Sequence, residues 1–128
     1  MLQKGQRILV VDDEPIIADS LVRILNLKGF EAVAAYSGEA AVAMAETFLA
    51  DIAILDVMLG GVNGIDAASM IVRRRPSCNI VLFSGHPETA GLVESRKPSF
   101  EVLAKPLSPE SLLQHLTTLQ SPETPPRD

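Results

Sequence analysis

The chain has 128 residues, of which 47% are hydrophobic, and it carries a formal net charge of −5. This length and composition suit one compact domain with a single core, and the acidic balance argues against direct binding of nucleic acid, which needs a basic surface. One cysteine, no signal-peptide stretch at the N-terminus and no apolar run of ~20 residues together lead us to expect a cytoplasmic protein without membrane contact.

Short apolar runs rich in β-branched residues alternate with helical patterns along the chain. Runs of this length are typical of buried parallel strands when helices separate them, and the more polar run at 31–36 suits the edge of a sheet. The predicted strands are 8–11, 31–36, 52–55, 80–83 and 102–104. This alternation predicts an α/β fold with a doubly wound parallel sheet and helices on both faces.

The predicted helices have recognisable ends. Pro15 suits the first position of the first helix, whose apolar face begins at Ile17, and Gly29 follows its last turn. Ser37 is a typical N-cap for the second helix. The third helix follows the glycine-rich loop 60–64 and ends in three arginines, where cations stabilise the helix dipole.

The C-terminal third has weaker patterns. Prolines and a glycine interrupt residues 86–100, where we expect a short, mobile helix. Ser108 begins a final helix with a leucine face. The polar, proline-rich residues 121–128 are expected to be disordered.

Polar side chains follow the predicted strands. Asp12 and Asp13 come after the first strand, Asp56 after the third, Ser84 after the fourth and Lys105 after the fifth. Ligand sites in open α/β sheets lie outside the carboxyl ends of the strands, so these side chains would meet in one crevice. Three carboxylates, a hydroxyl and an ammonium group predict a phosphoryl site that depends on a divalent metal.

The acidic residues Asp12, Asp13 and Asp56 favour a bound cation. Two carboxylates ~4 Å apart repel by roughly 4 kcal/mol at an effective dielectric of about 20, and a divalent ion relieves that repulsion. All-oxygen ligation suits Mg²⁺ or Mn²⁺. In the alternative interpretation the adjacent acids only stabilise a helix N-terminus, at ~0.3–1 kcal/mol each. That alternative leaves Asp56 and Lys105 unexplained.

Asp56 is the candidate nucleophile of this site. It follows an apolar strand and precedes a loop, where a carboxylate can attack phosphorus and form an acyl phosphate. Lys105 can act as a point-charge clamp on Asp56 and then on the phosphoryl group, and Ser84 can donate a hydrogen bond to a phosphoryl oxygen. Taken singly, Lys105 could also be a solvated lysine and Ser84 a turn residue.

Four motifs carry a family resemblance. They are Val-Val-Asp-Asp-Glu-Pro at 10–15, Leu-Asp-Val-Met-Leu at 55–59 with Gly64 eight residues after Asp56, Phe-Ser-Gly at 83–85, and Ala-Lys-Pro-Leu at 104–107. With this set the chain resembles a single-domain response-regulator receiver of two-component signalling, across residues 6–120. The resemblance implies a five-stranded sheet with the flavodoxin-like order 2-1-3-4-5.

The resemblance also implies a ligand set and a phosphoryl donor. Mg²⁺ would be bound by Asp13, Asp56 and the backbone carbonyl of Met58, with Asp12 acting largely through water. A phosphohistidine on a sensor histidine kinase or a histidine phosphotransfer protein would phosphorylate Asp56.

The remaining roles follow from the same resemblance. Lys105 would contact the phosphoryl group and Ser84 would be the switch hydroxyl. Such a domain catalyses only its own phosphorylation and dephosphorylation, and it signals by contact with a downstream protein that the sequence does not identify.

Three departures from the family keep other functions open. Gly60 stands where a proline is usual and suggests a looser loop, Val102 stands where an aromatic switch residue is common, and residues 86–100 replace a firmer helix. A receiver-like binding module that acts without phosphorylation is therefore the main alternative. A haloacid-dehalogenase-like phosphatase lacks its Asp-x-Asp spacing here, and a flavodoxin lacks its phosphate loop.

Overall fold

A computed structural model describes residues 5–84, 101–104 and 113–114. Its strands are all parallel and pair in the order β2-β1-β3-β4-β5. They are β1 (Arg7–Val11), β2 (Glu31–Ala35), β3 (Ile52–Asp56), β4 (Asn79–Ser84) and β5 (Glu101–Ala104). The α/β class and the order of the first four strands are confirmed, and the more polar β2 lies at the sheet edge as predicted.

Within residues 5–84, three helices cover the two faces of the sheet. They are α1 (Pro15–Leu27), α2 (Gly38–Phe48) and α3 (Gly64–Arg74). The first packs on one face, and the other two pack on the opposite face. None of the helices in the described part of the chain is long and apolar enough to cross a membrane. The helix predicted within 86–100 and the tail 121–128 lie outside the described residues.

The strands divide the core into two layers by simple alternation. In β1, Leu9 and Val11 pack towards α2 and α3, whereas Ile8 and Val10 pack towards α1. Every residue of β3 is buried, and this strand is paired with a neighbour on both sides. Each such leucine, isoleucine or valine contributes about 1.5–3 kcal/mol when it is fully buried. The uninterrupted apolar runs therefore position the strand ends that carry the polar residues.

Side-chain caps define where two of the helices begin. The Ser37 hydroxyl accepts a hydrogen bond from the backbone N–H of Ala40 at 3.1 Å, which confirms the predicted cap of α2. At α3, Asn63 Oδ1 accepts from the N–H of Asp66 at 2.9 Å. The helix therefore begins at Gly64, which the sequence placed in the preceding loop.

The outer edge of β2 is covered by a side chain of α1. Asn26 Oδ1 accepts from the backbone N–H of Ala32 at 2.8 Å, and Asn26 Nδ2 donates to the carbonyl of Ala32 at 3.3 Å. The amide thus supplies the two hydrogen bonds that a neighbouring strand would otherwise make. This contact protects an edge strand from pairing with another chain.

Two arginines hold the end of α2, on the side of the sheet opposite the strand ends that carry the acids. Arg7 Nε donates to the carbonyl of Phe48 at 2.7 Å, and Arg75 Nε donates to the carbonyl of Ala50 at 2.7 Å. Both arginines also lie beside Asp51, which accepts a hydrogen bond from the Arg7 N–H at 2.9 Å. Carbonyls at the end of the helix and just beyond it are therefore satisfied by distant side chains.

Candidate functional site

The carboxyl ends of β1 and β3 bring three carboxylates together. Val11 is in register with Leu55, so the residues that follow them, Asp12 and Asp56, leave the sheet side by side. Asp12, Asp13 and Asp56 each offer a carboxylate oxygen, and these oxygens all lie within 4.8 Å of one another. The structure thus brings together the three acids that the sequence singled out.

Backbone amides orient the two buried members of this group. Asp12 is 1% exposed and Asp56 is 5% exposed, whereas Asp13 is exposed. The N–H of Glu14 donates to Asp12 Oδ1 at 2.9 Å, and the N–H of Met58 donates to Asp56 Oδ1 at 3.0 Å. In both cases the donor lies two residues after the acid, as in an Asx-turn. Each carboxylate is therefore fixed by its own chain as the strand ends.

The loop after Asp56, residues 57–63, is anchored in the part that precedes Gly60. Val57 is 3% exposed and Leu59 is 8% exposed, whereas Met58 between them is exposed. The N–H of Val57 donates to the carbonyl of Phe83 at 2.9 Å, which ties the start of the loop to β4. Burial and a hydrogen bond therefore hold the loop before it reaches Gly60, the position where a proline is usual in the family.

Gly64 brings the start of α3 against the phosphoacceptor candidate. Its N–H donates to the carbonyl of Val57 at 3.0 Å. A Cβ atom at position 64 would overlap the backbone carbonyl of Asp56. This close approach of two backbones is the physical reason for a glycine eight residues after Asp56.

Ser84 ends β4 at the same edge of the sheet. It is 4% exposed, and its neighbour Phe83 is in register with Asp56. Ser84 itself is in register with Ala104, the residue before Lys105. Lys105 lies outside the described residues, so its contact with the site stays a prediction.

The donor set fits a hard divalent cation. Within the described part of the chain, the three aspartates are the group of His, Cys, Asp and Glu residues that could hold a metal ion. Carboxylate oxygens without imidazole or thiolate ligands suit Mg²⁺ or Mn²⁺, which retain several waters. The acidic group is thus consistent with a magnesium site.

The end of β2 borders this site, a contact that the sequence did not indicate. The N–H of Asp12 donates to the carbonyl of Ala35 at 3.2 Å. The hydroxyl of Tyr36 then donates to Asp19 of α1 at 2.6 Å, and this hydrogen bond to a carboxylate raises the pKa of Tyr36. The junction between β2 and α2 is therefore linked both to Asp12 and to α1, the helix that follows Asp12.

The family model described as the response regulator receiver domain matches residues 8–117. The chain belongs to this family. Membership places the protein in two-component signalling, with an acidic pocket of Asp12, Asp13 and Asp56 that is typical of a phosphoacceptor site. Receiver domains are typically non-enzymatic phosphoacceptors and in general have histidine kinases as partners.

Curated relatives of this receiver domain are longer proteins. The DNA-binding response regulator MtrA of Mycolicibacterium smegmatis is 32% identical over 109 residues, which cover 84% of this chain and 47% of MtrA. A cyclic di-GMP phosphodiesterase of Thermotoga maritima is 34% identical over 82 residues, which cover 64% of this chain and 22% of that protein. The receiver domain thus spans about half or less of the length of these relatives.

Solved structures share the fold over nearly their whole length. A CheY-like receiver domain protein from Methanospirillum hungatei is 26% identical with a TM-score of 0.83, covering 91% of this chain and 94% of that one. The response regulator TrrA of Thermotoga maritima, in complex with Mg²⁺ and BeF, is 29% identical with a TM-score of 0.74. That similarity covers 89% of this receiver domain and 98% of TrrA.

Proposed function

We propose that this receiver domain, residues 6–120, is the phosphoacceptor of a two-component system or phosphorelay. Asp56 accepts a phosphoryl group from a phosphohistidine on a sensor histidine kinase or a histidine phosphotransfer protein. The observation that carries the proposal is the convergence of Asp12, Asp13 and Asp56 within 4.8 Å at the strand ends. The Mg²⁺ and BeF complex of the similar protein TrrA supports it.

In the transfer step, a carboxylate oxygen of Asp56 attacks phosphorus in line with the leaving imidazole. The new O–P bond forms as the P–N bond breaks, and the imidazole nitrogen keeps the electron pair and takes up a proton. Asp12, Asp13, Asp56 and the backbone carbonyl of Met58 would hold Mg²⁺ or Mn²⁺. When bound, this ion neutralises charge between the carboxylate and the incoming phosphoryl group.

After transfer, the other strand ends recognise the new charge. The Ser84 hydroxyl donates to a phosphoryl oxygen, and the Lys105 ammonium supplies a positive charge. The burial of Ser84 and its register with the residue before Lys105 support a shared position at this edge. These contacts bias the neighbouring surface between two arrangements that a downstream protein distinguishes.

Phosphorylation by acetyl phosphate with Mg²⁺, followed by phosphate-affinity electrophoresis, tests the proposal. The natural sequence should give a retarded band that is absent when a chelator is present during the phosphorylation reaction, and Asp56→Asn should give none. Asp51→Asn is the matched control, because Asp51 immediately precedes the other end of the same strand. If the natural sequence gave no retarded band, the proposal would fail and a binding module that acts without phosphorylation would be favoured.

A further inference from the structure

We propose that Gly38 is a positioning residue for the loop after Asp56, residues 57–63, and thereby for the metal site. The inference rests on the proposed function, because this loop carries the backbone carbonyl of Met58. Gly38 is the first residue of α2 and is distant from Asp56 in sequence. Its effect is exerted through Val62, near the other end of the loop.

The loop backbone lies directly on Gly38. A Cβ atom at position 38 would lie 2.5 Å from the carbonyl oxygen of Val62, 3.0 Å from its Cβ and 3.2 Å from its Cγ1. Real Cβ atoms essentially never approach another heavy atom within 3.0 Å. The helix can therefore carry only glycine here unless Val62 moves.

The next residue of α2, Glu39, also lies close to the loop. Gly61 has a φ of +75°, and a Cβ atom there would lie 3.1 Å from Glu39 Oε2. Two consecutive residues of the helix thus lie next to two consecutive residues of the loop. The left-handed backbone of Gly61 turns the loop so that Val62 reaches Gly38.

The start of α2 is itself fixed relative to the acidic group. The Ser37 hydroxyl caps the helix through the N–H of Ala40 at 3.1 Å. Two residues earlier, the carbonyl of Ala35 accepts from the N–H of Asp12 at 3.2 Å. The same short segment therefore contacts both Asp12 and the loop after Asp56, and it couples their positions.

An alanine at position 38 would displace the loop by a predictable amount. To reach even a tight contact of 3.0 Å from the present 2.5 Å, the Val62 carbonyl must move by at least about 0.5 Å. Ligand groups in functional sites have to be held to within about 0.5 Å of their productive positions. Loss of the outer-shell hydrogen bonds that orient metal ligands typically weakens metal affinity by about 10–100-fold, and a displaced loop should act in the same direction.

Gly60 provides a matched control in the same loop. A Cβ atom at position 60 would have nothing within 4 Å, and its φ lies outside the left-handed region. Gly60→Ala therefore makes the same chemical change without overlap. For Gly38→Ala, helix propensity alone would favour the alanine, so any loss has to come from the contact.

The experiment measures Mg²⁺ affinity by calorimetry and thermal unfolding in chelator for both variants. Gly38→Ala should bind Mg²⁺ about tenfold more weakly than the natural sequence, and Gly60→Ala should bind as the natural sequence does. If the contact served stability alone, Gly38→Ala would lower the unfolding midpoint and leave the Mg²⁺ affinity of the folded protein unchanged. Equal weakening in both variants, or none in Gly38→Ala, would overturn the proposal.

Val62→Ala alters the same contact on the side of the loop. It tests the proposal if Gly38→Ala does not fold. Val72→Ala is its control, since Val62 and Val72 are both partly buried against the same core. Weaker Mg²⁺ binding in Val62→Ala alone supports the inference, and equal binding in both overturns it. If the natural sequence itself bound no Mg²⁺, the proposed function would fail first, which separates the two hypotheses.

Discussion

Asp56→Asn should make the metal-free protein more stable. The substitution removes one charge from the acidic group but keeps Oδ1, which accepts the hydrogen bond from Met58 at 3.0 Å. It therefore isolates charge repulsion from the loss of a hydrogen bond. Sites that bind a cation are commonly built at the expense of stability in its absence.

The separation of the carboxylates sets the scale of this effect. Two unit charges 4.8 Å apart repel by roughly 3.5 kcal/mol at an effective dielectric of about 20. Solvent around the exposed Asp13 screens its charge and reduces this value. We expect a gain of about 1–2 kcal/mol in the free energy of unfolding, which is about 3–8 °C in Tm for a domain of this size.

Thermal unfolding in a chelator-containing buffer measures the gain, and Asp51→Asn is the control. Asp51 accepts from the Arg7 N–H at 2.9 Å and lies 3.8 Å from the guanidinium of Arg75, so its neutralisation should be neutral or destabilising. Added Mg²⁺ should raise the midpoint of the natural sequence and leave that of Asp56→Asn unchanged. A lower midpoint for Asp56→Asn in chelator would refute the reasoning, because Asp56 would then be a net structural partner.

Three further predictions follow from contacts described above. Asp13→Asn should abolish the Mg²⁺ binding that calorimetry detects. The Mg²⁺ affinity of the natural sequence should fall at low pH, because protons compete with the ion for the carboxylates. Unchanged Mg²⁺ affinity in Asp13→Asn would exclude Asp13 as a ligand. Asn26→Leu leaves the N–H and carbonyl of Ala32 uncovered at the sheet edge, and it should lower the free energy of unfolding by about 1–3 kcal/mol. The uncovered edge should also cause concentration-dependent association, which sedimentation velocity measures. Burial raises the pKa of the Cys78 thiol from 9.0 to about 11. The contribution of this thiol to the free energy of unfolding is therefore fully present below its pKa in the unfolded chain, and it is lost as the pH rises towards 11. Urea unfolding across this pH range should show a smaller decline in Cys78→Ala; an equal decline would assign the effect to other groups.

Local patterns in the sequence were sufficient for the strands and the acidic group. A strand that is buried on both faces needs an uninterrupted apolar run, so 8–11 and 52–55 could be identified directly. Parallel strands end at one edge of the sheet, so Asp12 and Asp56 had to converge once the strands were placed.

Contacts between distant segments could not be predicted in this way. Asn26 contacts Ala32, and Val62 packs against Gly38, only because separate parts of the chain meet in the fold. Neither pair has a local sequence signal. Arg75 was assigned to the dipole of its own helix, whereas its guanidinium donates to the carbonyl of Ala50 beyond α2. The roles of Ser84 and Lys105 stay predictions.

The complete burial of β3 has a consequence for the lifetime of a phosphoryl group on Asp56. A central strand paired on both sides exchanges its amides only when the whole domain opens, so the acceptor is attached to the last part of the molecule to unfold. Opening of β3 itself is then not the route by which water would reach an acyl phosphate on Asp56. Hydrolysis has to occur in the folded protein, at a rate governed by the side chains around the strand ends. Core substitutions that lower the free energy of unfolding by about 1–2 kcal/mol should therefore shorten the lifetime of the folded protein without shortening the lifetime of the phosphoryl group on Asp56.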